Sequence, residues 1–254
     1  MRDDVRLLVE VLRRRPSHTA ILLDFDGTLA PIVDDPGAAV PLPGVVDALA
    51  ALVGTFGEVA VVSGRPVAHL LTHLPLGPRL VGLYGLETVR DHEVVTHPDA
   101  VRWRHAIDEL AAAATTELPN EVVVEHKGFS LTLHVREHPD LADQVESWAE
   151  SSARRSGLHL RTARRSVELH PPVAIDKGTV VADLIDAAET ACFIGDDVGD
   201  LPAFAALDEL DARGGTGIRF AVASSELDAE MRRRADALLD GPSGVLEVLR
   251  ALSD

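Results

Sequence analysis

Short apolar runs alternate with segments of helical periodicity over most of the chain. A short apolar run that is bounded by turn residues predicts a buried strand. The main runs of this kind lie at about 20–23, 58–62, 80–85, 190–195 and 217–223. Between them, apolar residues recur at the spacing of one helix face, as in the first fifteen residues. Strands that alternate with helices predict an α/β fold, with a parallel sheet that carries helices on both faces.

The pattern changes between residues 99 and 173. This block predicts a helix, two strands, a second helix and two more strands, and Pro171-Pro172 marks its end. None of its loops has the glycine-ended form that follows the strands elsewhere. We therefore expect a separate inserted domain at 99–173, within a core that is built from 1–98 and 174–254.

Composition and charge restrict the possible functions. The chain has 254 residues, is 46% hydrophobic and carries a formal net charge of -17. Such a charge argues against non-specific binding to nucleic acid or to an anionic membrane, and it means that an anionic substrate must meet local positive charge or a metal. A single cysteine, Cys192, allows no intrachain disulfide. No signal segment or membrane-spanning run is visible, so we expect a soluble cytoplasmic protein.

Two aspartates follow the first apolar run. Asp24 and Asp26 precede Gly27 and Thr28, and alternation along a strand points the two carboxylates to the same side. One interpretation is a solvated acidic loop. The other is a ligand site at the end of a strand, where a cation or a shared proton relieves the repulsion between the carboxylates.

The second apolar run ends in Ser63, Gly64 and Arg65. A hydroxyl beside backbone N–H groups at a strand end can hold a phosphate oxygen, although Ser-Gly is also a common turn. Lys177 begins a predicted helix, where its positive charge is unfavourable unless an anion binds there.

The run at 190–195 ends in a dense acidic segment. Asp196, Asp197 and Asp200 lie within five residues of one another, at the end of a predicted strand. Several carboxylates together form a natural site for a hard cation such as Mg2+, which prefers oxygen ligands.

These motifs, taken in order, resemble those of the haloacid dehalogenase (HAD) superfamily of phosphohydrolases and, within it, the trehalose-6-phosphate phosphatase family. The similar stretches are 23–32, 62–65, 125–136, 164–171, 176–178 and 195–200. The sequence departs from the family at Val135, where Tyr is frequent, and at His170, where Arg is frequent. Both departures concern the choice of substrate.

The resemblance implies a Rossmann-like core with an inserted αββαββ cap of the C2 type, and it implies a role for each motif. Asp24 would be the nucleophile, Asp26 the general acid and base, and Ser63 and Lys177 would hold phosphate oxygens. Mg2+ would be bound by Asp24, the main chain of Asp26 and Asp196. The supporting residues would be Gly27, Thr28, Asp197 and Asp200.

The resemblance also implies that cap residues select the sugar. Lys127, Arg164 and Glu168 would bind the sugar hydroxyls, and Gly64 and Arg65 would contact the substrate from the core. Residues 151–170 carry five Arg against one Glu, which reverses the sign of the overall charge locally. The alternative interpretation of this segment is an exposed, Arg-rich hairpin.

Three functions remain open at this point. The first is Mg2+-dependent hydrolysis of trehalose 6-phosphate through an aspartyl-phosphate. The second is hydrolysis of another sugar phosphate, of the sucrose-phosphate or mannosyl-phosphoglycerate type. The third is a non-catalytic domain that binds a sugar phosphate or regulates a synthase. We expect a small-molecule sugar phosphate as the partner, no nucleic acid and no membrane, and we favour a monomer.

Overall fold

The computed structural model describes residues 1–33, 36–90, 92–163, 165–224 and 227–253. Its strands are β1 Thr19–Leu23, β2 Glu58–Val62, β3 Arg79–Gly82, β4 Glu87–Arg90, β5 Glu93–Thr96, β6 Val123–His126, β7 Leu131–His134, β8 His159–Ala163, β9 Ser166–His170, β10 Thr190–Gly195, β11 Thr216–Val222 and β12 Ala237–Leu239. Its α-helices are α1 Asp3–Leu12, α2 Val45–Leu52, α3 Val67–His73, α4 Pro98–Val101, α5 Arg104–Glu117, α6 Ala142–Ser156, α7 Lys177–Leu184, α8 Leu201–Ala212, α9 Ala229–Arg234 and α10 Gly241–Ser253.

The described residues form two compact units, one of residues 1–94 and 175–254 and the other of residues 95–174. We call them the core unit and the inserted unit. The boundaries predicted from the sequence, 98/99 and 173/174, lie close to these divisions. No helix in the described part of the chain combines the length and apolar character needed to cross a bilayer.

The core unit is built on a mixed sheet with the strand order β12-β11-β10-β1-β2-β3-β4-β5. The pairs from β12 to β3 are parallel, and β4 is antiparallel to β3. Because β1 is central and covered on both faces, all five of its residues are buried. The predicted α/β fold is confirmed.

Alternation along β1 divides the hydrophobic core into two layers. Ile21 and Leu23 pack into a cluster that includes residues of α1, α2 and α10. Ala20 and Leu22 pack into a second cluster, which includes residues of α7, α8 and α9. The strand therefore holds helices on both faces, and its residues after Leu23 emerge at the edge of the sheet where β2 and β10 also end.

The inserted unit has an antiparallel sheet of order β6-β7-β9-β8 and follows the predicted αββαββ order, with α4 and α5 first. Leu131, Leu133 and Leu169 alternate into a hydrophobic cluster with residues of α5 and α6. The side chains between them, such as Thr132 and Glu168, consequently belong to the opposite face of the sheet.

Several predicted element ends are wrong in detail. The third strand ends at Gly82 rather than at residue 85, and a short 3-10 turn, Leu83–Gly85, follows it. The sequence pattern predicts the first helix of the inserted block over about 101–117, whereas α5 begins at Arg104 and the short helix α4 precedes it. The first helix ends at Leu12, before its three arginines.

Candidate active site

Asp24, the first residue after β1, is joined to Lys177 at the start of α7. Lys177 Nζ lies 3.0 Å from Asp24 Oδ1 and 2.6 Å from Asp200 Oδ1. All three side chains are buried. The helix begins at Lys177 because Asp176 caps it, accepting a hydrogen bond from the Thr179 N–H. The predicted placement of a lysine at a helix start is confirmed.

Negative charge exceeds positive charge in this buried cluster. Burial raises the pKa of Asp24 well above its ordinary value; Lys177 opposes the rise, and Asp200 adds to it. Burial and the neighbouring carboxylates of Asp197 and Asp24 likewise raise the pKa of Asp196. Burial lowers the pKa of Lys177, but Asp200 and Asp24 outweigh it, so the net pKa lies well above the ordinary value and the ammonium stays charged.

A divalent cation fits this cluster. Asp24, Asp196 and Asp200 are buried, and each offers a carboxylate oxygen within 4.8 Å of the others. Gly27 also shapes this cluster, because a Cβ atom at that position would lie 2.1 Å from Asp196 Oδ2. Only glycine therefore allows the backbone to approach this carboxylate, and hard oxygen donors with uncompensated charge suit Mg2+.

Asp200 serves mainly to hold the other residues. Its Oδ1 accepts from Lys177, and its Oδ2 accepts from the backbone N–H groups of Asp196 at 3.0 Å and Asp197 at 3.3 Å. Asp197 is exposed and caps the following turn by accepting from the Gly199 N–H at 2.8 Å. Asp24 and Asp196 are therefore the side chains best placed to bind a cation.

Asp26 forms an ion pair with Arg65, which follows β2. Arg65 Nε lies 2.7 Å from Asp26 Oδ2, and its Nη2 lies 2.7 Å from Oδ1. The arginine side chain is almost buried, whereas that of Asp26 is 37% exposed. The guanidinium thus fixes the orientation of a carboxylate that remains accessible.

Two buried hydroxyl groups lie in the loops at this edge of the sheet. Ser63 Oγ accepts the Arg65 N–H at 3.1 Å, which leaves the hydroxyl proton available for an anion. Thr28 Oγ1 is buried and has no hydrogen-bond partner among the described residues. Gly64, between Ser63 and Arg65, packs against the ring of Tyr84.

The inserted unit carries a polar row across its sheet, on the face opposite its helices. Strand register places Glu125 beside Thr132, Thr132 beside Glu168, and Glu168 beside Arg161. Thr132 Oγ1 is buried without a hydrogen-bond partner in the described part of the chain. This row offers carboxylate, hydroxyl and guanidinium groups on one surface.

Glu168 is the centre of that row and is almost buried. Its Oε1 accepts from Ser130 Oγ at 2.7 Å, and its Oε2 accepts from Arg161 Nη1 at 3.2 Å. Lys127 Nζ lies 3.9 Å from Glu168 Oε1 and 3.6 Å from Glu125 Oε2. Two of the three predicted sugar-binding residues, Lys127 and Glu168, are thus neighbours. The third, Arg164, lies outside the described residues.

Sequence reasoning missed Tyr84, Ser130 and Arg161. Tyr84 falls in a segment that reads as a continuation of β3, and only the two flanking glycines signal a turn. Arg161 becomes visible only when the register of β8 and β9 is known, since that register sets it beside Glu168. Ser130, just before β7, becomes visible only through its hydrogen bond to Glu168.

The family model described as trehalose-phosphatase matches residues 22–237, which include every core motif. A trehalose-phosphate phosphatase of Mycobacterium ulcerans is 33% identical over 250 residues, covering 90% of this chain and 60% of the relative. One of Mycolicibacterium paratuberculosis is 34% identical over 260 residues, covering 93% of this chain and 62% of the relative. The chain spans about 60% of the length of these two curated relatives.

Solved structures agree on the fold. The C-terminal domain of a trehalose-6-phosphate phosphatase from C. albicans superposes with a TM-score of 0.78 at 24% identity, covering 98% of this chain and 96% of that chain. At that level of identity the likeness shows the fold alone.

Proposed function

Because the chain belongs to the trehalose-phosphatase family, we propose that it hydrolyses trehalose 6-phosphate to trehalose and inorganic phosphate. The observation that carries the proposal is the buried contact between Lys177 and the first carboxylate after β1, Asp24, with Asp196 beside it. A buried nucleophile next to a fixed ammonium is suited to attack on a phosphate ester, whose charge the ammonium stabilises.

The first step proposed is attack by a carboxylate oxygen of Asp24 on phosphorus. A bond forms between that oxygen and phosphorus while the bond to the sugar oxygen breaks, which gives an aspartyl-phosphate and a sugar alkoxide that takes a proton from Asp26. Asp26 is suited to this role because Arg65 fixes it near Asp24 while it stays accessible. In the second step Asp26 takes a proton from water, whose oxygen attacks phosphorus and releases phosphate and Asp24.

The remaining core residues bind the phosphate and the metal. Ser63 and Lys177 hold phosphate oxygens. The ammonium of Lys177 and the hydroxyl of Ser63 stabilise the negative charge of the transition state. Asp24, Asp196 and the main-chain carbonyl of Asp26 would hold Mg2+, with Asp197 and Asp200 as supports. When bound, Mg2+ supplies a positive charge that offsets the excess of carboxylates and of phosphate oxygens.

The sugar is assigned to the polar row of the inserted unit. Glu168 accepts hydrogen bonds, Lys127 donates them, and the buried hydroxyl of Thr132 can do either. A site with fixed polar groups discriminates strongly among hydroxylated ligands, because a wrong ligand leaves buried groups without partners. This chemistry suits a disaccharide.

The decisive experiment is phosphate release from a panel of esters, with Mg2+ and with EDTA. The panel contains trehalose 6-phosphate, sucrose 6-phosphate, glucose 6-phosphate, mannosyl-phosphoglycerate and p-nitrophenyl phosphate. We expect the largest kcat/KM for trehalose 6-phosphate and loss of turnover in EDTA that Mg2+ restores. A higher kcat/KM for another sugar phosphate would transfer the assignment to that substrate, and absence of release from all of them would contradict catalysis.

A further inference from the structure

The turn after β3 holds two consecutive non-glycine residues in a left-handed conformation. The φ angles of Leu83 and Tyr84 are 49° and 58°, and Gly85 follows with 113°. Side chains with a Cβ atom disfavour this region, and residues forced into it are concentrated at functional sites. Contacts with the surrounding residues must therefore stabilise this left-handed conformation, which Leu and Tyr disfavour.

Two backbone hydrogen bonds join this turn to the loop after β2. Leu83 donates its N–H to the Arg65 carbonyl at 2.9 Å, and Tyr84 donates its N–H to the Ser63 carbonyl at 2.9 Å. The strained turn thus fixes the loop after β2. That loop carries Ser63, the candidate phosphate-binding hydroxyl, and Arg65, the partner of Asp26.

Gly85 brings the same turn against the chain segment that leads into α7. A Cβ atom at Gly85 would lie 2.6 Å from both Ile175 Cδ1 and Val180 Cγ2. Those residues flank Lys177, so the turn is packed tightly against the start of the helix that carries the lysine. Glycine is required here because no side chain fits.

The consequence is the placement of the Tyr84 ring. Its hydroxyl end covers Gly64, where a Cβ atom would lie 2.6 Å from Tyr84 Oη, and the ring centroid lies 5.9 Å from Lys177 Nζ. An ammonium at that distance from an aromatic face is attracted by it. The ring is half-buried, and the Lys177 side chain is only 3% exposed.

We propose that Tyr84 is a positioning residue of the phosphate site, whose ring holds the Lys177 ammonium and packs against Gly64. The inference rests on the proposed phosphatase function. In this role the ring, together with Asp200, keeps Lys177 aimed at the phosphate when the carboxylate of Asp24 attacks phosphorus. The ring, and not the phenol proton, carries the effect.

The test compares two substitutions at Tyr84. Tyr84→Phe keeps the ring, whereas Tyr84→Asn removes it and introduces a residue that tolerates the left-handed conformation. For Tyr84→Asn we expect kcat for p-nitrophenyl phosphate to fall at least about tenfold and the Kd for inorganic phosphate, measured by calorimetry with Mg2+, to rise at least about fivefold. Tyr84→Phe should keep both values within about twofold of those of the wild type.

His92→Asn is the matched control. His92 is also left-handed, with a φ of 66°, but it lies in the turn after β4, at the opposite edge of the sheet from the candidate site. It should change neither quantity, and thermal melting should show that each variant is folded.

A wild-type Kd and kcat in Tyr84→Asn would overturn the proposal, as would an equal loss in Tyr84→Phe, which would assign the effect to the hydroxyl. If the wild-type protein hydrolysed no ester, the proposed function would fail, and the phosphate Kd would still decide the role of Tyr84.

Discussion

Arg65 occupies both carboxylate oxygens of Asp26, with Nε 2.7 Å from Oδ2 and Nη2 2.7 Å from Oδ1. Because these residues follow adjacent parallel strands, the pair links the loops after β1 and β2 across the candidate site. A bidentate pair fixes the plane of the carboxylate as well as its position, which a single charge does not.

Arg65→Lys should separate charge from orientation. The lysine keeps the positive charge but loses the planar fork, so Asp26 should donate its proton less efficiently. We expect kcat for the sugar phosphate to fall about tenfold or more, with a smaller loss for p-nitrophenyl phosphate, whose leaving group needs little help from an acid. Arg79→Lys disrupts a similar pair with Glu58 at the other edge of the sheet and is the control. Equal losses on the two esters would argue against a role in proton transfer.

Asp24→Asn should remove turnover without unfolding the core unit. The amide cannot form the aspartyl-phosphate, so kcat should fall at least about a thousandfold. Stability should be preserved or raised, because the substitution removes one carboxylate from a buried cluster that has a surplus of them. Asp47→Asn, on the exposed side of α2, is the isosteric control. Retention of more than about a tenth of wild-type kcat would place the nucleophile elsewhere.

Glu168→Gln should affect the sugar phosphate selectively. The amide keeps the shape of the side chain but offers one acceptor in place of two, so we expect kcat/KM for trehalose 6-phosphate to fall about thirtyfold, which corresponds to about 2 kcal/mol. Hydrolysis of p-nitrophenyl phosphate should stay near wild type. Glu150→Gln, exposed on α6, serves as the control. If the ratio of the two kcat/KM values does not change, Glu168 only orders the sheet through Ser130 and Arg161.

His170 makes the stability of the inserted unit depend on pH. Burial lowers the pKa of this histidine, Arg161 and His159 lower it further, and Glu168 and the Pro171 carbonyl oppose them. As the pH falls below about 6.5, His170 therefore takes up a proton in the unfolded chain before it does so in the folded one. Its contribution to the free energy of unfolding is complete above about pH 6.5 and is lost as the pH falls through the folded pKa of His170.

Tryptophan fluorescence can measure this effect, because both tryptophans, Trp103 and Trp148, belong to the inserted unit. We expect the urea midpoint of the fluorescence transition to fall between pH 7.5 and pH 5.5, and to fall less in His170→Gln. His105→Gln, on the exposed side of α5, should behave as wild type. A midpoint with the same pH dependence in His170→Gln would exclude His170 as the source.

The ends of the strands that carry the candidate site were predictable because three of them interrupt an apolar run with a polar residue. Asp24, Ser63 and Asp196 each follow such a run, and the structure places each directly after a strand. The end of β3 was not predictable in this way, since Leu83 and Tyr84 continue the apolar pattern while the backbone turns left-handed. The family resemblance is confirmed, whereas the roles of the individual residues stay predictions.

The pairings of charged side chains were the least predictable feature. Arg161, rather than the neighbouring Arg165, donates to Glu168, because antiparallel register sets Arg161 directly beside it. Arg154 and Arg155 belong to α6, where Arg154 pairs with Glu150 and Arg155 donates to serines of the same helix. The excess of positive charge in 151–170 is thus divided between a helix and a sheet, which net charge along the sequence cannot reveal.

The order of strands in the core sheet has a consequence for synthesis on the ribosome. Strand β1 is made before its neighbour β10, and the whole inserted unit lies between them in the chain. At the usual rates of elongation, the hydrogen-bonding edge of β1 that β10 covers waits roughly ten to thirty seconds for its partner. Asp24 likewise emerges long before Lys177 and Asp196. Until Lys177 has been made, a nascent chain therefore carries the nucleophile without the ammonium that balances its charge. Until β10 has been made, it also carries an open strand edge that can pair with other chains.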